Sequence, residues 1–160
     1  MVPNPLPNIL AGDCLIFSRP GLFDFAIKLK TWSPACHVEV ALGGGFTVAS
    51  RNGKGVARYP IDLDGLYCVL RPLKNFDMAA AMSSFWKNHN GKPYGWLALL
   101  SFCLIDLHDK GEFCSELETN FYRDGGFEPF NESIKAEIVA PSDYLYVHRS
   151  VMGLVWHFGK

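Results

Sequence analysis

Polar and apolar positions along the chain change period at clear breaks, and each period predicts one kind of element. After a proline-rich lead-in, Gly12-Asp13 opens the apolar run Cys14-Leu-Ile-Phe17, bounded by Ser18-Arg-Pro-Gly21, which predicts a buried strand between turns. Leu22, Phe23, Phe25, Ala26, Leu29 and Trp32 then recur at helical spacing up to the Ser33-Pro34 break. From Cys36 the pattern is extended. Strands are predicted from Cys36 to Leu42, Phe46 to Ser50 and Gly55 to Tyr59, joined by a Gly43-Gly-Gly45 turn and an Asn52-Gly53 turn, which makes an antiparallel meander. Leu66 to Arg71 predicts a further strand, ended by Pro72.

Helical spacing dominates the second half. Met78 to His89 predicts an alanine-rich helix stopped by Asn90-Gly91, and Pro93 suits the first turn of another that runs through Trp96, Leu99, Leu100 and Cys103. Tyr94 falls at the start of that helix. Glu112 to Arg123 carries Cys114, Leu117 and Phe121 on one face, with Gly125-Gly126 as its stop. The alternation of Tyr144, Tyr146 and His148 predicts a last strand over 144–148. Strands grouped ahead of helices, without repeats or linkers, predict one α+β domain over residues 1–160 rather than a doubly wound sheet.

Composition narrows the function classes. The 160 residues are 49% hydrophobic and 19% charged, enough apolar material for a sizeable core. Fifteen Lys plus Arg against sixteen Asp plus Glu leave a formal net charge of -1, no excess with which to hold a nucleic-acid backbone. The apolar stretch from Gly95 to Ile105 is shorter than the roughly 20 residues of a transmembrane helix. The first residues lack the marks of a secretory signal, so a cytoplasmic protein is expected. Five cysteines, Cys14, Cys36, Cys68, Cys103 and Cys114, are odd in number and form no Cys-x-x-Cys pair, which argues against a disulfide framework and a structural zinc site.

Two positions suggest chemistry. His37 begins a strand, and Cys114 begins a helix in Glu112-Phe-Cys-Ser-Glu-Leu-Glu118. A thiol at a helix N-terminus feels the positive end of the macrodipole, which favours the thiolate, and the free N–H groups of that turn can hold a developing oxyanion. Nucleophilic catalysis by a cysteine–histidine pair needs those parts.

Several segments resemble the circularly permuted papain-like enzymes of the NlpC-type cysteine peptidase superfamily, in particular the YiiX-like amidase branch, which is related to lecithin retinol acyltransferase. Gly12-Asp13-Cys-Leu-Ile-Phe17 is similar to that family's opening strand, and His37-Val-Glu-Val-Ala-Leu-Gly-Gly-Gly45 to its histidine strand and glycine turn. Gly91-Lys-Pro-Tyr94-Gly-Trp96 resembles the segment that brings a tyrosine near the nucleophile, Phe113-Cys114-Ser-Glu-Leu117 the nucleophile helix, and Pro141-Ser-Asp-Tyr-Leu145 the closing segment. The resemblance implies Cys114 as nucleophile, His37 as its base and Tyr94 on the oxyanion side. It also implies a small antiparallel sheet, partly rolled into a barrel, packed on a helical layer. Many family members orient the histidine with a polar residue on the next strand; counting here lands on Ala49. Glu39, two residues after His37 on the same strand face, is the replacement candidate, with Ser50 and Asn52 as alternatives.

The activity so implied is that of a thiol peptidase or amidase, acting without metal or organic cofactor on a peptide-like or cell-wall-derived amide. The alternatives are a lipid-directed thioesterase or acyltransferase and a non-catalytic module that keeps the cleft. Against these stand plainer readings: Cys114 as core packing, His37 as a strand-edge histidine, Glu39 as a solvated carboxylate and Tyr94 as an ordinary amphipathic core residue. Cys36 alternates away from His37 and reads as packing, and His89, His108, His148 and His157 read as surface or boundary residues. The apolar tail Val151 to Phe158 is expected to pack on the domain or to contact another chain or a membrane surface.

Overall fold

The computed structural model describes residues 7–95, 112–147 and 149–158. Its strands are β1 (Cys14–Phe17), β2 (His37–Gly43), β3 (Phe46–Arg51), β4 (Gly55–Pro60), β5 (Leu66–Pro72) and β6 (Met152–His157). They form one six-stranded antiparallel sheet in the order β4-β3-β2-β1-β5-β6. With the helices, this is a mixed α+β architecture.

Strand β1 sits inside the sheet because all four of its side chains are apolar and both its edges are paired: Cys14 lies across from Val40 on one side and Leu70 on the other. Alternation sorts the strands into two faces. Cys14, Ile16, Val38, Val40 and Cys68 join Phe85, Leu117 and Phe121 in the main core, while Leu15, Phe17, Ala41, Leu66 and Val69 form a smaller cluster that Trp156 packs against. Each such Leu, Val or Phe contributes about 1.5–3 kcal/mol by leaving water. The β2–β3 hairpin turns through Gly43, Gly44 and Gly45 at φ of 80°, 60° and 82°, a left-handed path that side-chain-bearing residues resist.

Helix α1 (Leu22–Thr31) connects β1 to β2. Helix α2 (Met78–Ser84) starts at Asp77, whose carboxylate accepts the Ala80 N–H at 3.0 Å, and runs on into a wider π-type turn over Phe85–His89. Helix α3 (Cys114–Asp124) ends at Gly125, whose N–H bonds the Phe121 and Tyr122 carbonyls. Leu117, Phe121 and Tyr122 anchor α3 in the main core.

Two expectations require correction. The predicted strand over 144–148 is instead a 3₁₀ segment, Pro141–Tyr146: Pro141 has the helical φ, and the Asp143 carboxylate accepts the Ala140 N–H at 2.8 Å, so local start chemistry overrides the alternation. Tyr144 is accordingly buried while Tyr146 is exposed, and the last strand is β6, from the apolar tail. Tyr94 does not open a helix. It forms a parallel bridge with Glu112, because the preceding backbone is already tied to β4 through Val56 N–H to Lys92 O (2.9 Å) and Gly91 N–H to Val56 O (2.8 Å). The remainder of that expected helix, with Cys103, lies outside the described residues, as do His108 and His148.

Candidate active site

Cys114 is the first residue of α3, and Phe113 before it is extended (φ −90°, ψ 170°) and offers no side-chain cap to the first-turn N–H groups. The segment ahead of the helix is fixed from several directions. The Ser50 hydroxyl donates to the Glu112 carbonyl, Gly95 N–H bonds the same carbonyl at 3.2 Å, and Glu112 N–H bonds Pro93 O at 3.3 Å. Gly55, at φ 76°, allows this packing: a Cβ there would stand 2.6 Å from Lys92 O. Ser50, an alternative for orienting His37, is thus committed to Glu112.

Strand β2 supplies the other half. His37 and Glu39 share a face, and His37 Nε2 lies 3.0 Å from Glu39 Oε1. Glu39 is fully buried and takes up four hydrogen bonds: besides His37, Arg51 reaches both its oxygens at 2.9 Å, and the Thr47 hydroxyl donates to Oε2 at 2.8 Å. Thr47, Ala49 and Arg51 alternate onto one face of β3, where small Ala49 leaves room between two polar partners of the carboxylate. Burial by itself would raise Glu39; the hydrogen bonds and charges of His37 and Arg51 overcome it and hold the carboxyl at about 2. Glu39 is therefore a charged, desolvated group rather than a solvated one.

Cys114 lies beside the His37 ring, close enough to be the strongest influence raising its pKa. With Nε2 committed to Glu39, Nδ1 is the nitrogen left for sulfur. Burial would push this imidazole down, but the influence of Cys114 and Glu39 lifts it to about 9, so the imidazolium survives at neutral pH. Tyr94 also stands near Cys114. Burial first, then the negative charge of Cys114, pushes its hydroxyl well above the usual phenol range and keeps it a proton donor.

His37 and Tyr94 line a cleft of about 350 Å³ whose other walls include Arg19, Asp24, Lys54 and Asp62. Asn52, the remaining alternative for orienting His37, is another exposed wall residue of this cleft. Cys36 borders it too, but its thiol donates to Phe17 O at 3.4 Å and burial pushes it up to about 12. Cys14 and Cys68 are likewise held as thiols, chiefly by burial.

Sequence reasoning missed three participants. Arg51 and Thr47 gave no local signal, since only the strand register brings them to Glu39. Glu118, one turn after Cys114, is fully buried; Cys14 donates to its Oε2 at 3.6 Å, and burial reinforced by the Cys114 and Glu39 charges raises it well above the usual carboxylate range. His89 is a further correction: it is buried between Glu112 (2.8 Å) and Asp124 (3.2 Å), acids remote in sequence, rather than at the surface.

Among the described residues no cluster of three or more His, Cys, Asp or Glu side chains is arranged to hold a metal ion, and no helix is long and apolar enough to cross a membrane. No family model matches the chain, and no curated protein matches it.

Proposed function

We propose that the protein is a cysteine-dependent hydrolase of the permuted papain-like type, an amidase or peptidase that cleaves an amide bond in a peptide-like or cell-wall-derived substrate. The observation that carries this reading is the thiol of Cys114, at the start of α3, set against a His37 ring whose other nitrogen is held by a buried, charged Glu39. A cleft with Arg19, Lys54, Asp24 and Asp62 on its walls suits a polar, peptide-like ligand better than a hydrocarbon one.

In this mechanism the Cys114 thiolate attacks the amide carbon, and the carbonyl π pair moves onto oxygen. The Cys114 backbone N–H and the Tyr94 hydroxyl hold that oxyanion. His37 gives its Nδ1 proton to the leaving nitrogen as the C–N bond breaks, which releases the amine and leaves a thioester. Neutral His37 then takes a proton from water, the hydroxide adds to the thioester carbonyl, and collapse expels the thiolate with a carboxylic acid as product. Glu39 holds the ring in place and stabilises its charged form throughout.

Iodoacetamide labelling tests the nucleophile directly. Cys114 is expected to alkylate near neutral pH well ahead of Cys14, Cys36 and Cys68, which burial holds as thiols. Uniform labelling, or none at Cys114, overturns the reading. A panel of peptide amides, muropeptides and acyl esters then separates amidase from acyl-ester chemistry.

A further inference from the structure

One buried acid near the nucleophile takes no part in the chemistry proposed above. Glu118 lies one turn along α3 from Cys114, so the two side chains stand at i and i+4 on one face of the helix. It is fully buried, at 0% exposure, against Cys14 of the main core. Among the described residues its side chain makes one hydrogen bond, accepted by Oε2 from the Cys14 thiol at 3.6 Å. Oε1 is equally buried and has no partner. An orphaned, desolvated oxygen weakens a fold, and an apolar side chain of similar length would avoid the penalty. Packing alone therefore does not explain an acid at this position.

The surroundings favour its protonated form. The carboxyl is raised well above the usual carboxylate range, first by burial, then by the negative charge of Cys114 and of Glu39, while the Cys14 contact acts the other way. The cations of this region, Arg51 and His37, are both bonded to Glu39, and the acid Asp13 is taken up by Arg71 at 2.7 Å. The remaining titratable groups coupled to Glu118 are the Cys14 thiol on β1 and the Tyr122 and Tyr144 phenols on α3 and the 3₁₀ segment. Burial pushes all three up, so none brings a charge at neutral pH. Because Oε2 receives the Cys14 S–H, the carboxyl proton belongs on Oε1. An O–H dipole without an acceptor of its own then sits in the negative potential of Cys114 and Glu39. Such coupling is reciprocal: where charge on Cys114 favours the proton on Glu118, that proton favours the charge on Cys114.

We propose that Glu118 is a positioning residue for the nucleophile, a protonated acid whose O–H dipole supports negative charge on the Cys114 sulfur. The role rests on the reading of Cys114 as nucleophile, and it demands a polar but uncharged side chain at position 118. Gln meets that demand, since its amide keeps an acceptor for Cys14 and supplies N–H donors in place of the acid proton. Met, of similar length but apolar, does not.

Two measurements on the full chain test it. Alkylation of Cys114 by iodoacetamide near neutral pH is expected to stay within about twofold of wild type in Glu118→Gln and to be about tenfold slower in Glu118→Met. The Met variant should nevertheless melt at or above the wild-type temperature, because the orphaned oxygen is gone. Infrared difference spectra of wild type against Glu118→Gln should show the carbonyl stretch of a protonated carboxylic acid at neutral pH. That band should titrate away at lower pH in Cys114→Ala than in the protein with its sulfur, because the charge that favours the proton is absent. Equal alkylation rates in all three proteins, with Cys114 still the fastest thiol, overturn the role of Glu118 and leave the nucleophile standing. A wild-type Cys114 no faster than Cys14, Cys36 and Cys68 overturns both. A carboxylate signal at neutral pH, or a titration unmoved by Cys114→Ala, also overturns the role, and the infrared result does not depend on the folding of the Met variant.

Discussion

Two buried histidines in this molecule are each paired with a carboxylate, and they are built for different ends. His37 commits Nε2 to Glu39 and lies beside Cys114 with its other nitrogen left over. His89 commits both, Nδ1 to Glu112 at 2.8 Å and Nε2 to Asp124 at 3.2 Å, while Lys92 also bonds Glu112 at 2.9 Å. A ring held on both sides has no lone pair to offer a substrate or nucleophile; it fastens the π-type turn to both ends of α3. Pairing with a carboxylate therefore does not identify a base. The informative feature is the nitrogen left uncommitted.

The largest effect is expected where that nitrogen acts. Cys114→Ala and His37→Ala should each remove nearly all turnover, a loss on the order of 10⁴-fold or more, and the double variant should be little worse because the two act as a unit. Independent, multiplicative losses in steady-state kinetics would separate them. In Cys114→Ala the His37 ring, followed by NMR, should titrate below the wild-type value of about 9, because the largest influence raising it is the sulfur charge.

Glu39→Gln comes next. It keeps the shape of the side chain but removes the charge that supports the imidazolium, and a loss on the order of a thousandfold in turnover is expected, measured per folded molecule. The wild-type profile should also fall as pH rises through about 9, where His37 gives up the proton the leaving amine needs. Stability carries its own signature. The Glu39 carboxyl is depressed to about 2, so its contribution is complete above roughly pH 4.5 and disappears as pH falls through 2. Acid titration of the melting temperature should lose that component in the Gln variant.

Tyr94→Phe should cost on the order of a hundredfold in kcat and kcat/KM together, with KM little changed, if the hydroxyl acts in the transition state. Unchanged turnover removes Tyr94 from the site. Smallest in rate is His89→Gln, which should leave turnover within about twofold yet lower stability by about 1–3 kcal/mol. The His89 ring is raised above its ordinary value by the Glu112 hydrogen bond. Its contribution is therefore full below about pH 6.5 and fades as pH rises through the higher folded value, so thermal melts of wild type and variant should converge in alkali.

The contrast also explains what the sequence could and could not reveal. The edges of β1 to β5 were legible to within a residue because Gly43-Gly-Gly45, Asn52-Gly53 and the prolines punctuate alternating runs, and α3 was marked by its periodicity and Gly125. Proximity of His37 and Glu39 follows from strand alternation, which is local. What surrounds them does not. Arg51 and Thr47 reach Glu39 only through strand pairing, and the partners of His89 lie 23 and 35 residues away. Tyr144 to His148 misled because alternation there is a by-product of a 3₁₀ turn, and Pro93 because backbone bonds to β4 held its neighbour extended.

The bond from Ser50 to Glu112 spans 62 residues, and the contact between Cys14 and Glu118 spans 104. Chains dominated by such long-range contacts pay loop-closure entropy before packing rewards it, and they fold in milliseconds to seconds rather than microseconds. The β2–β3–β4 meander closes through short turns and can form early, with Glu39, Thr47 and Arg51 all inside it. Cys114 joins them through the docking of α3 on the sheet, which needs the long-range contacts. The order expected from this topology is that the buried carboxylate and its arginine are assembled before the Cys114 sulfur reaches them, which pulsed hydrogen exchange during refolding would check.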